Sequence, residues 1–196
     1  MPDRPRPDAG EGADRTGLAR ACLSALTWAQ AAGRRGVIAI DGRSGSGKST
    51  LAARLAADLT PRVPGLTCLA VEDWYPGWDG LAEGARILVD SVLTGESAYQ
   101  RWDWHAGTFG PHVEVDPHAP LLIEGCGALT VRSRPLIDFA IWVDAPRDVR
   151  KSRALARDGE TYAPFWDAWA AQEDALIADN HPENLADVVV TVPTAR

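Results

Sequence analysis

Residues 37–50 read VIAIDGRSGSGKST, an apolar run that stops at Asp41 and leads into a glycine-rich loop. The run is short, rich in β-branched residues and apolar at successive positions, which is typical of a strand buried on both faces of a parallel sheet. The stretch that follows, STLAARLAADL, carries Leu51, Leu55 and Leu59 at helical spacing. A strand, a glycine-rich loop and a helix in immediate succession predict an α/β fold.

The glycine-rich loop matches the Walker A pattern G-x-x-x-x-G-K-[ST] at every position. Glycines let successive backbone N–H groups turn toward phosphate oxygens, a lysine supplies a mobile positive charge, and a terminal hydroxyl can bind Mg²⁺. The N-terminus of the next helix also favours an anion. We therefore expect ATP and Mg²⁺ to bind here, with Lys48 catalytic and Ser49 a metal ligand. The expected nucleotide-binding residues are Gly42, Ser44, Gly45, Ser46, Gly47, Lys48, Ser49 and Thr50.

Other apolar runs alternate with helical patterns along the chain. Strands are expected within LTCLAVED, at residues 121–123 and 139–143, and within ADVVVTV near the C-terminus. Helices are expected between them, and the Gly- and Pro-rich GTFGPHVEVDPHAP predicts a hairpin or an irregular loop. The alternation predicts a three-layer P-loop NTPase fold, with a mostly parallel five-stranded sheet and helices on both faces.

The composition argues against several classes of protein. A net charge of −7 does not suit an extended nucleic-acid surface. No apolar run approaches the ~18 residues of a membrane span, and the first residues lack the apolar core of a signal peptide. Three scattered cysteines, Cys22, Cys68 and Cys126, predict small buried hydrophobes in a reducing compartment. We expect a cytoplasmic protein with a disordered leader over residues 1–15 and one domain over 16–196. The sequence is compatible with a monomer or an oligomer.

Acidic residues follow two of the other predicted strands, at the carboxyl ends where ligands bind in open α/β sheets. Glu124 closes the run LLIE, and its carboxylate could hold Mg²⁺ near the γ-phosphate or could simply be solvated. Glu72 and Asp73 end the second strand, where a carboxylate could orient an acceptor hydroxyl and take its proton. The sequence leaves open which of these two is the base.

Aromatic residues concentrate in two stretches that we expect to be loops, VEDWYPGW and RWDWHAG. Flat aromatic faces suit a nucleobase, with stacking of ~1–3 kcal/mol per base, and sugars stack on tryptophan as well. Core packing is the alternative for any one of them. The candidates for acceptor binding are Trp74, Tyr75, Trp78, Trp102 and Trp104. By contrast, Trp166 and Trp169 lie three residues apart in a predicted helix, a spacing that indicates packing.

A basic face is predicted in PRDVRKSRALARD, where four arginines follow one another at spacings of three, three and four residues: Arg147, Arg150, Arg153 and Arg157. Arginines beside a phosphate loop can neutralise charge in the transition state of phosphoryl transfer. A solvated helix face paired with Asp148 or Asp158 is the alternative.

Together these motifs resemble the uridine kinase and phosphoribulokinase-like group of P-loop kinases over most of residues 35–192. The stretch EDWY at residues 72–75 is similar to the family's Asp-x-Phe-Tyr-type motif, whose acid is taken as the base, with Glu72 in place of the first Asp. The stretch WDW at residues 102–104 is similar to the family's YDF acceptor motif, which implies that Asp103 binds the acceptor. Glu124 and Gly125 match the family's EG pair.

The stretch VDAPRDVRKSRALARD is similar to the family's segment V-D-x-x-x-D-x-R-x-x-R-x-x-x-R-D. In that family the segment is a lid whose arginines clasp the phosphates of ATP. The resemblance therefore implies a lid around residues 147–162, with Arg153 and Arg157 closing over the phosphates.

These observations predict a phosphotransferase that moves the γ-phosphate of ATP to a hydroxyl of a small molecule, with a nucleoside favoured as acceptor. A sugar, a cofactor precursor or a nucleotide is an alternative acceptor. A further alternative is a switch module that hydrolyses ATP slowly and has no acceptor. The chain lacks the N-K-x-D motif of GTPase-type switches, which favours the kinase.

Overall fold

The computed structural model describes residues 15–192. The leader expected over residues 1–15 lies outside them, except for Arg15, which begins the first helix.

Six α-helices and seven strands are found in the described part of the chain. The helices are α1 (Arg15–Ala31), α2 (Lys48–Leu59), α3 (Leu81–Ile87), α4 (Arg147–Asp158), α5 (Trp166–Asn180) and α6 (Pro182–Leu185). The strands are β1 (Val37–Asp41), β2 (Thr67–Ala70), β3 (Ala98–Asp103), β4 (Thr108–Glu114), β5 (Leu121–Glu124), β6 (Phe139–Asp144) and β7 (Val188–Thr191). A 3₁₀ turn, Val71–Trp74, follows β2, and α3 continues as a π-helical segment, Leu88–Leu93.

Five strands form one sheet in the order β2-β5-β1-β6-β7, and every pair of neighbours is parallel. In this register Ile40 of β1 lies beside Glu124 of β5 and Ile141 of β6. The carboxyl ends of β1, β5 and β2 therefore meet at one edge, where open α/β sheets bind ligands. The predicted fold class is confirmed.

The central strand β1 separates two apolar cores because its side chains alternate between the faces of the sheet. Val37 and Ala39 pack into one core and Ile38 and Ile40 into the other, and all four are buried. Helices α1 and α2 supply the second core, while α3 and α5 contribute to the first. Helices on both faces bury the sheet, as the doubly apolar pattern of β1 predicts.

A separate two-stranded antiparallel sheet is formed by β3 and β4, with an irregularity in register between Gln100 and Trp102. The expectation that Trp102 and Asp103 lie in a loop is wrong, because both belong to β3. The segment expected to be a hairpin or an irregular loop supplies the second strand of this hairpin.

The cysteines are all free thiols. Cys22 and Cys126 are buried as expected, whereas Cys68 is exposed, so the prediction of burial is wrong for that residue. Over residues 15–192 there is no helix with the length and apolar character needed to cross a membrane.

Candidate active site

The phosphate loop runs from the end of β1 to the start of α2. Two of its glycines are required by close approaches as well as by positive φ angles. Gly42 has φ 151°, and a Cβ there would lie 2.2 Å from the carbonyl oxygen of Val143. Gly45 has φ 75°, and its Cβ would lie 2.1 Å from the carbonyl oxygen of Arg150. The loop therefore passes close against the backbone beneath it and leads into a helix whose first N–H groups have no partner within the helix. Such a turn favours an anion.

Lys48 begins α2 and is buried. Its Nζ donates a hydrogen bond to the carbonyl of Arg43 at 3.1 Å and lies 3.4 Å from the Sγ of Cys126. Burial lowers the pKa of Lys48, but the attraction of surrounding acidic groups, with Cys126 and Glu124 foremost, outweighs burial and leaves the pKa raised. The side chain therefore keeps the positive charge that a phosphate would require.

Asp41, the last residue of β1, is buried and joins the phosphate loop to the segment after β5. Its Oδ1 accepts the backbone N–H groups of Gly42 at 2.6 Å and Gly127 at 3.1 Å, and its Oδ2 accepts that of Leu129 at 2.8 Å. Burial raises the pKa of Asp41 to about 7, against the opposing effect of these N–H groups and Lys48. The contacts give Asp41 a structural role in holding two loops together.

Ser49 and Glu124 form a hydroxyl–carboxylate pair, in which Ser49 Oγ lies 2.9 Å from Glu124 Oε1. Hard oxygen atoms of this kind suit Mg²⁺, which is usually held by one or two protein oxygens together with substrate phosphates. Residues 15–192 contain no cluster of three or more His, Cys, Asp or Glu side chains that could hold a metal ion. The pair fits a magnesium ion bound with a nucleotide.

A cavity of about 690 Å³ opens beside the phosphate loop. Its polar lining includes four loop residues, three carboxylates and the guanidinium of an arginine: Ser44, Gly45, Lys48, Ser49, Glu72, Glu124, Asp158 and Arg157. Its aromatic lining consists of Tyr75, Trp78, Trp104, Tyr162 and Trp169. The phosphate-binding elements and a largely aromatic wall thus share one cavity.

The two acidic residues after β2 have different environments. Glu72 lines the cavity, whereas Asp73 accepts hydrogen bonds from Arg101 at 3.0 Å and from the Tyr99 hydroxyl at 3.3 Å, both on β3. Burial, followed by the charge of Glu124, raises the pKa of Glu72 above its usual range, although Arg157 and Lys48 oppose the rise. Glu72 is therefore in position to meet an acceptor, and Asp73 anchors the hairpin.

Trp78 is the centre of the aromatic wall. Its ring stacks on Phe165 with centroids 4.7 Å apart and on Tyr162 at 5.1 Å, with interplanar angles of 8° and 13°. Trp104 packs on it at 4.8 Å, tilted by 54°. Because Tyr162 and Phe165 follow α4, these contacts join the segment after β2 to the segment after α4.

Three of the residues expected at the acceptor site do not line the cavity. Trp74 is fully buried in the core, and its Nε1 donates to the carbonyl of Gly84 at 2.9 Å. Trp102 packs edge-on against Phe109 within the hairpin. Asp103 accepts the backbone N–H groups at positions 105 and 106 and so stabilises the hairpin turn.

The basic residues of α4 have three different environments. Arg157 lines the cavity and forms a bidentate pair with Asp158 at 2.7 and 2.8 Å. Arg153 is exposed and does not line the cavity. Arg150 is buried and donates to the carbonyls of Ala145 at 3.1 Å and Ser44 at 3.3 Å. The predicted basic face is therefore divided between a cavity residue, a surface residue and a support for the loop.

Sequence reasoning missed Glu173 of α5, which is buried behind the phosphate loop and accepts the backbone N–H of Ser44. The acidic neighbours of Glu173 in AQEDALIAD suggest a solvated helix face, so the composition of this stretch does not indicate that Glu173 is buried. A helical register with Trp166 and Trp169, at i, i+3 and i+7, could have placed it on the buried side. Trp169 packs against Tyr75, as its spacing predicts, and also lines the cavity.

No known family model matches the chain. A search of curated proteins also gives no match. Among solved structures, the chain is similar to one described as a "possible uridine kinase" from Bacillus stearothermophilus, with 22% identity and a TM-score of 0.54 over 88% of this chain and 99% of that one. It is also similar to a "putative fructose transport system kinase" from Silicibacter sp. TM1040, with 20% identity and a TM-score of 0.56 over 93% and 100% of the two chains. At this identity the similarity shows the fold alone: the chain has the same α/β fold as these two structures.

Proposed function

We propose that the protein is an ATP-dependent kinase that transfers a γ-phosphoryl group to a hydroxyl of a small molecule, with a nucleoside as the leading acceptor. The observation that carries the proposal is the shared cavity, in which Lys48 and Ser49 of the phosphate loop lie in the same lining as Glu72 and an aromatic wall. A module that only binds or hydrolyses ATP would not need Glu72 and the aromatic wall beside the phosphate loop.

The donor half would hold MgATP, which supplies the phosphoryl group and the charge of the metal ion. The backbone N–H groups of the phosphate loop and the start of α2 would bind phosphate oxygens, together with Lys48. Ser49 and Glu124, already 2.9 Å apart, would hold Mg²⁺. Four of the loop residues expected from the motif, Ser44, Gly45, Lys48 and Ser49, line the cavity on this side.

Glu72 is proposed as the base. A carboxylate in the cavity can orient the acceptor hydroxyl and accept its proton as the oxygen bonds to phosphorus and ADP leaves. Burial raises its pKa, which makes it a better proton acceptor than an exposed glutamate. Asp73, held by Arg101 and Tyr99, would fix the hairpin that carries Trp104.

Arg157 is proposed to neutralise charge on the transferring group, as part of a lid around residues 147–162. Its two contacts to Asp158 show a guanidinium that is already ordered for bidentate binding. A phosphate would compete with Asp158 for the same donors. Arg153 does not line the cavity, which gives that residue a smaller part in the proposal.

The acceptor half is defined by Tyr75, Trp78 and Trp104. Their ring faces suit either a nucleobase or the apolar face of a sugar. The names of the two similar structures refer to uridine and fructose, so both compounds belong in any test of the acceptor. A cytoplasmic location, where ATP and such acceptors are available, is part of the same proposal.

The proposal is tested by measuring ATP consumption by the purified protein alone and with single nucleosides, sugars, cofactor precursors and nucleotides. Mass spectrometry of each reaction would identify a phosphorylated acceptor. We expect at least one compound to raise turnover well above the basal rate. If none does while ATP is still hydrolysed slowly, the switch module is the better description. Lys48→Ala should abolish turnover, and activity retained in that variant would refute the phosphate-loop assignment.

A further inference from the structure

Glu173 is a buried carboxylate behind the phosphate loop, outside the cavity lining. Its Oε1 accepts the backbone N–H of Ser44 at 2.5 Å and the indole N–H of Trp169 at 3.1 Å, and the Sγ of Cys126 lies 3.4 Å away. Burying a carboxylate is costly unless its oxygens are partnered, so its placement needs a physical reason.

The charge of Glu173 is balanced by two arginines. Its Oε2 has no hydrogen-bond partner and lies 3.8 Å from Arg150 and 3.9 Å from Arg43, within ion-pair range but beyond hydrogen-bond range. Only Oε1 therefore makes directional contacts, and the strongest of these, to Ser44, is made to the phosphate loop itself.

Ser44 is held on both sides of its backbone. Glu173 of α5 accepts its N–H, and Arg150 of α4 donates to its carbonyl at 3.3 Å. Ser44 immediately precedes Gly45, whose backbone passes against that of Arg150 so closely that no side chain could be accommodated. Two helices thus fix the turn of the loop from behind, one through the N–H and the other through the carbonyl of Ser44.

We propose that Glu173 is a positioning residue for nucleotide binding: by accepting the Ser44 N–H, it presets the phosphate loop in the conformation that receives the phosphates. This inference rests on the proposed function only in requiring that the loop bind a nucleotide. Glu173 acts through the placement of one oxygen atom, and its negative charge is secondary.

Two conservative variants separate placement from charge. Glu173→Asp keeps the charge but withdraws the carboxylate by one methylene, away from Ser44. Glu173→Gln removes the charge but keeps an oxygen acceptor at the same distance. Asp179→Ala is the control, since this acidic residue of α5 is exposed and does not line the cavity. Dissociation constants of MgADP and MgATP would be measured by calorimetry on each folded variant, with melting temperatures recorded without nucleotide.

We expect Glu173→Asp to weaken nucleotide binding about tenfold or more, because it leaves the buried N–H of Ser44 without its acceptor and the loop without its preset conformation. Glu173→Gln should stay within about threefold of the wild type even if its melting temperature falls, and Asp179→Ala should bind normally. Unchanged affinity in Glu173→Asp would overturn the inference, because it would leave Glu173 a role in stability alone. An equal loss of nucleotide affinity in Glu173→Asp and Glu173→Gln would also overturn the inference, because it would show that the negative charge of Glu173 matters as much as the position of its oxygen.

If Glu173→Asp does not fold, Trp169→Phe takes its place. Phenylalanine keeps an aromatic ring beside Tyr75 but removes the indole N–H that orients the carboxylate. Several-fold weaker nucleotide binding in Trp169→Phe would support the inference if Trp78→Leu, which also alters an aromatic residue of the cavity, binds nucleotide normally. Unchanged binding in Trp169→Phe, or equal weakening in the two variants, would overturn it. Failure of the proposed function is a separate result: a wild-type protein that binds nucleotide but phosphorylates no acceptor would still report on Glu173. A wild type that binds neither nucleotide would refute both.

Discussion

The hydroxyl of Ser49 donates a 2.9 Å hydrogen bond to Glu124, and this contact joins the first turn of α2 to the carboxyl end of β5. The two residues are 75 positions apart in the chain and meet only because β1 and β5 are parallel neighbours. The pair brings together two oxygen ligands of the type that Mg²⁺ prefers.

Removal of either partner should raise the Mg²⁺ concentration needed for activity. We expect Ser49→Ala and Glu124→Gln to shift the half-maximal Mg²⁺ concentration upward by about tenfold or more, as loss of a metal-site contact commonly does. The measurement is a Mg²⁺ titration of ATP turnover at saturating ATP. Thr60→Ala, which removes a hydroxyl at the other end of α2, is the control and should leave the titration unchanged.

Glu72 and Asp73 should differ sharply in their effect on turnover. Glu72→Gln removes the proposed base and should lower kcat about 10²- to 10⁴-fold. Asp73→Asn breaks a contact with the exposed Arg101 and should act mainly on the KM of the acceptor. Steady-state kinetics of both variants provide the comparison, and an equal loss of kcat in the two would contradict the assignment of Glu72.

The pH dependence of the reaction provides a separate check on Glu72. Burial raises the pKa of this carboxyl, and a base works only when ionised, so activity should rise with pH through a midpoint above the ordinary glutamate value of 4.5. The plot of kcat/KM against pH should show this rise in the wild type and lack it in Glu72→Gln. If the rise persists in Glu72→Gln, it reports the ionisation of another group.

Two arginines of α4, Arg153 and Arg157, can be compared directly by mutation. Arg157 lines the cavity and Arg153 does not, although both are exposed in part and lie one turn apart on the helix. Arg157→Ala should lower kcat/KM for ATP about 10- to 1,000-fold, because it removes charge stabilisation of the phosphates, whereas Arg153→Ala should remain within about threefold of the wild type. The measurement is steady-state kinetics at several ATP concentrations. A larger loss of kcat/KM in Arg153→Ala than in Arg157→Ala would assign the phosphate contact to Arg153 instead.

Trp78 should contribute to acceptor binding. Trp78→Leu removes the ring at the centre of the aromatic wall, and a loss of aromatic contact worth ~1–3 kcal/mol corresponds to a rise in acceptor KM of about 5- to 150-fold. Nucleotide affinity measured by calorimetry should change little. Trp28→Leu is a suitable control, since Trp28 lies on α1 beside Arg34 and away from the cavity. An equal effect in both variants would point to stability as the cause.

Trp74 should affect stability. Its side chain is fully buried and hydrogen-bonded to Gly84, so Trp74→Ala should lower the free energy of unfolding by about 3–5 kcal/mol. Denaturant unfolding of the two proteins provides the comparison. The nucleotide affinity of the folded variant should stay close to that of the wild type, since Trp74 does not line the cavity.

The sheet and the donor half of the site could be predicted because they depend on local patterns. β1 is apolar at successive positions, and the glycines and Lys48 have a fixed spacing that a phosphate loop requires. Glu124 follows from the rule that ligands bind at the carboxyl ends of parallel strands.

The acceptor half could be predicted only in part, because its members meet through tertiary packing. Trp74 and Trp78 are four residues apart and look alike in the sequence, yet one lies in the core and the other in the cavity wall. Which of Glu72 and Asp73 faces the cavity depends on a 3₁₀ turn after β2, which the pattern of residues does not specify. Glu173 is 129 residues from Ser44, and no local signal connects them.

Asp41 determines how freely the two loops at the sheet edge can move. One carboxylate takes N–H groups from the phosphate loop and from the segment after β5, and it is itself the last residue of the central strand. Local opening of either loop must therefore break hydrogen bonds to the central strand of the sheet. We expect any opening that admits a substrate to involve instead the segments around Trp78 and Tyr162, which contact each other through stacked rings.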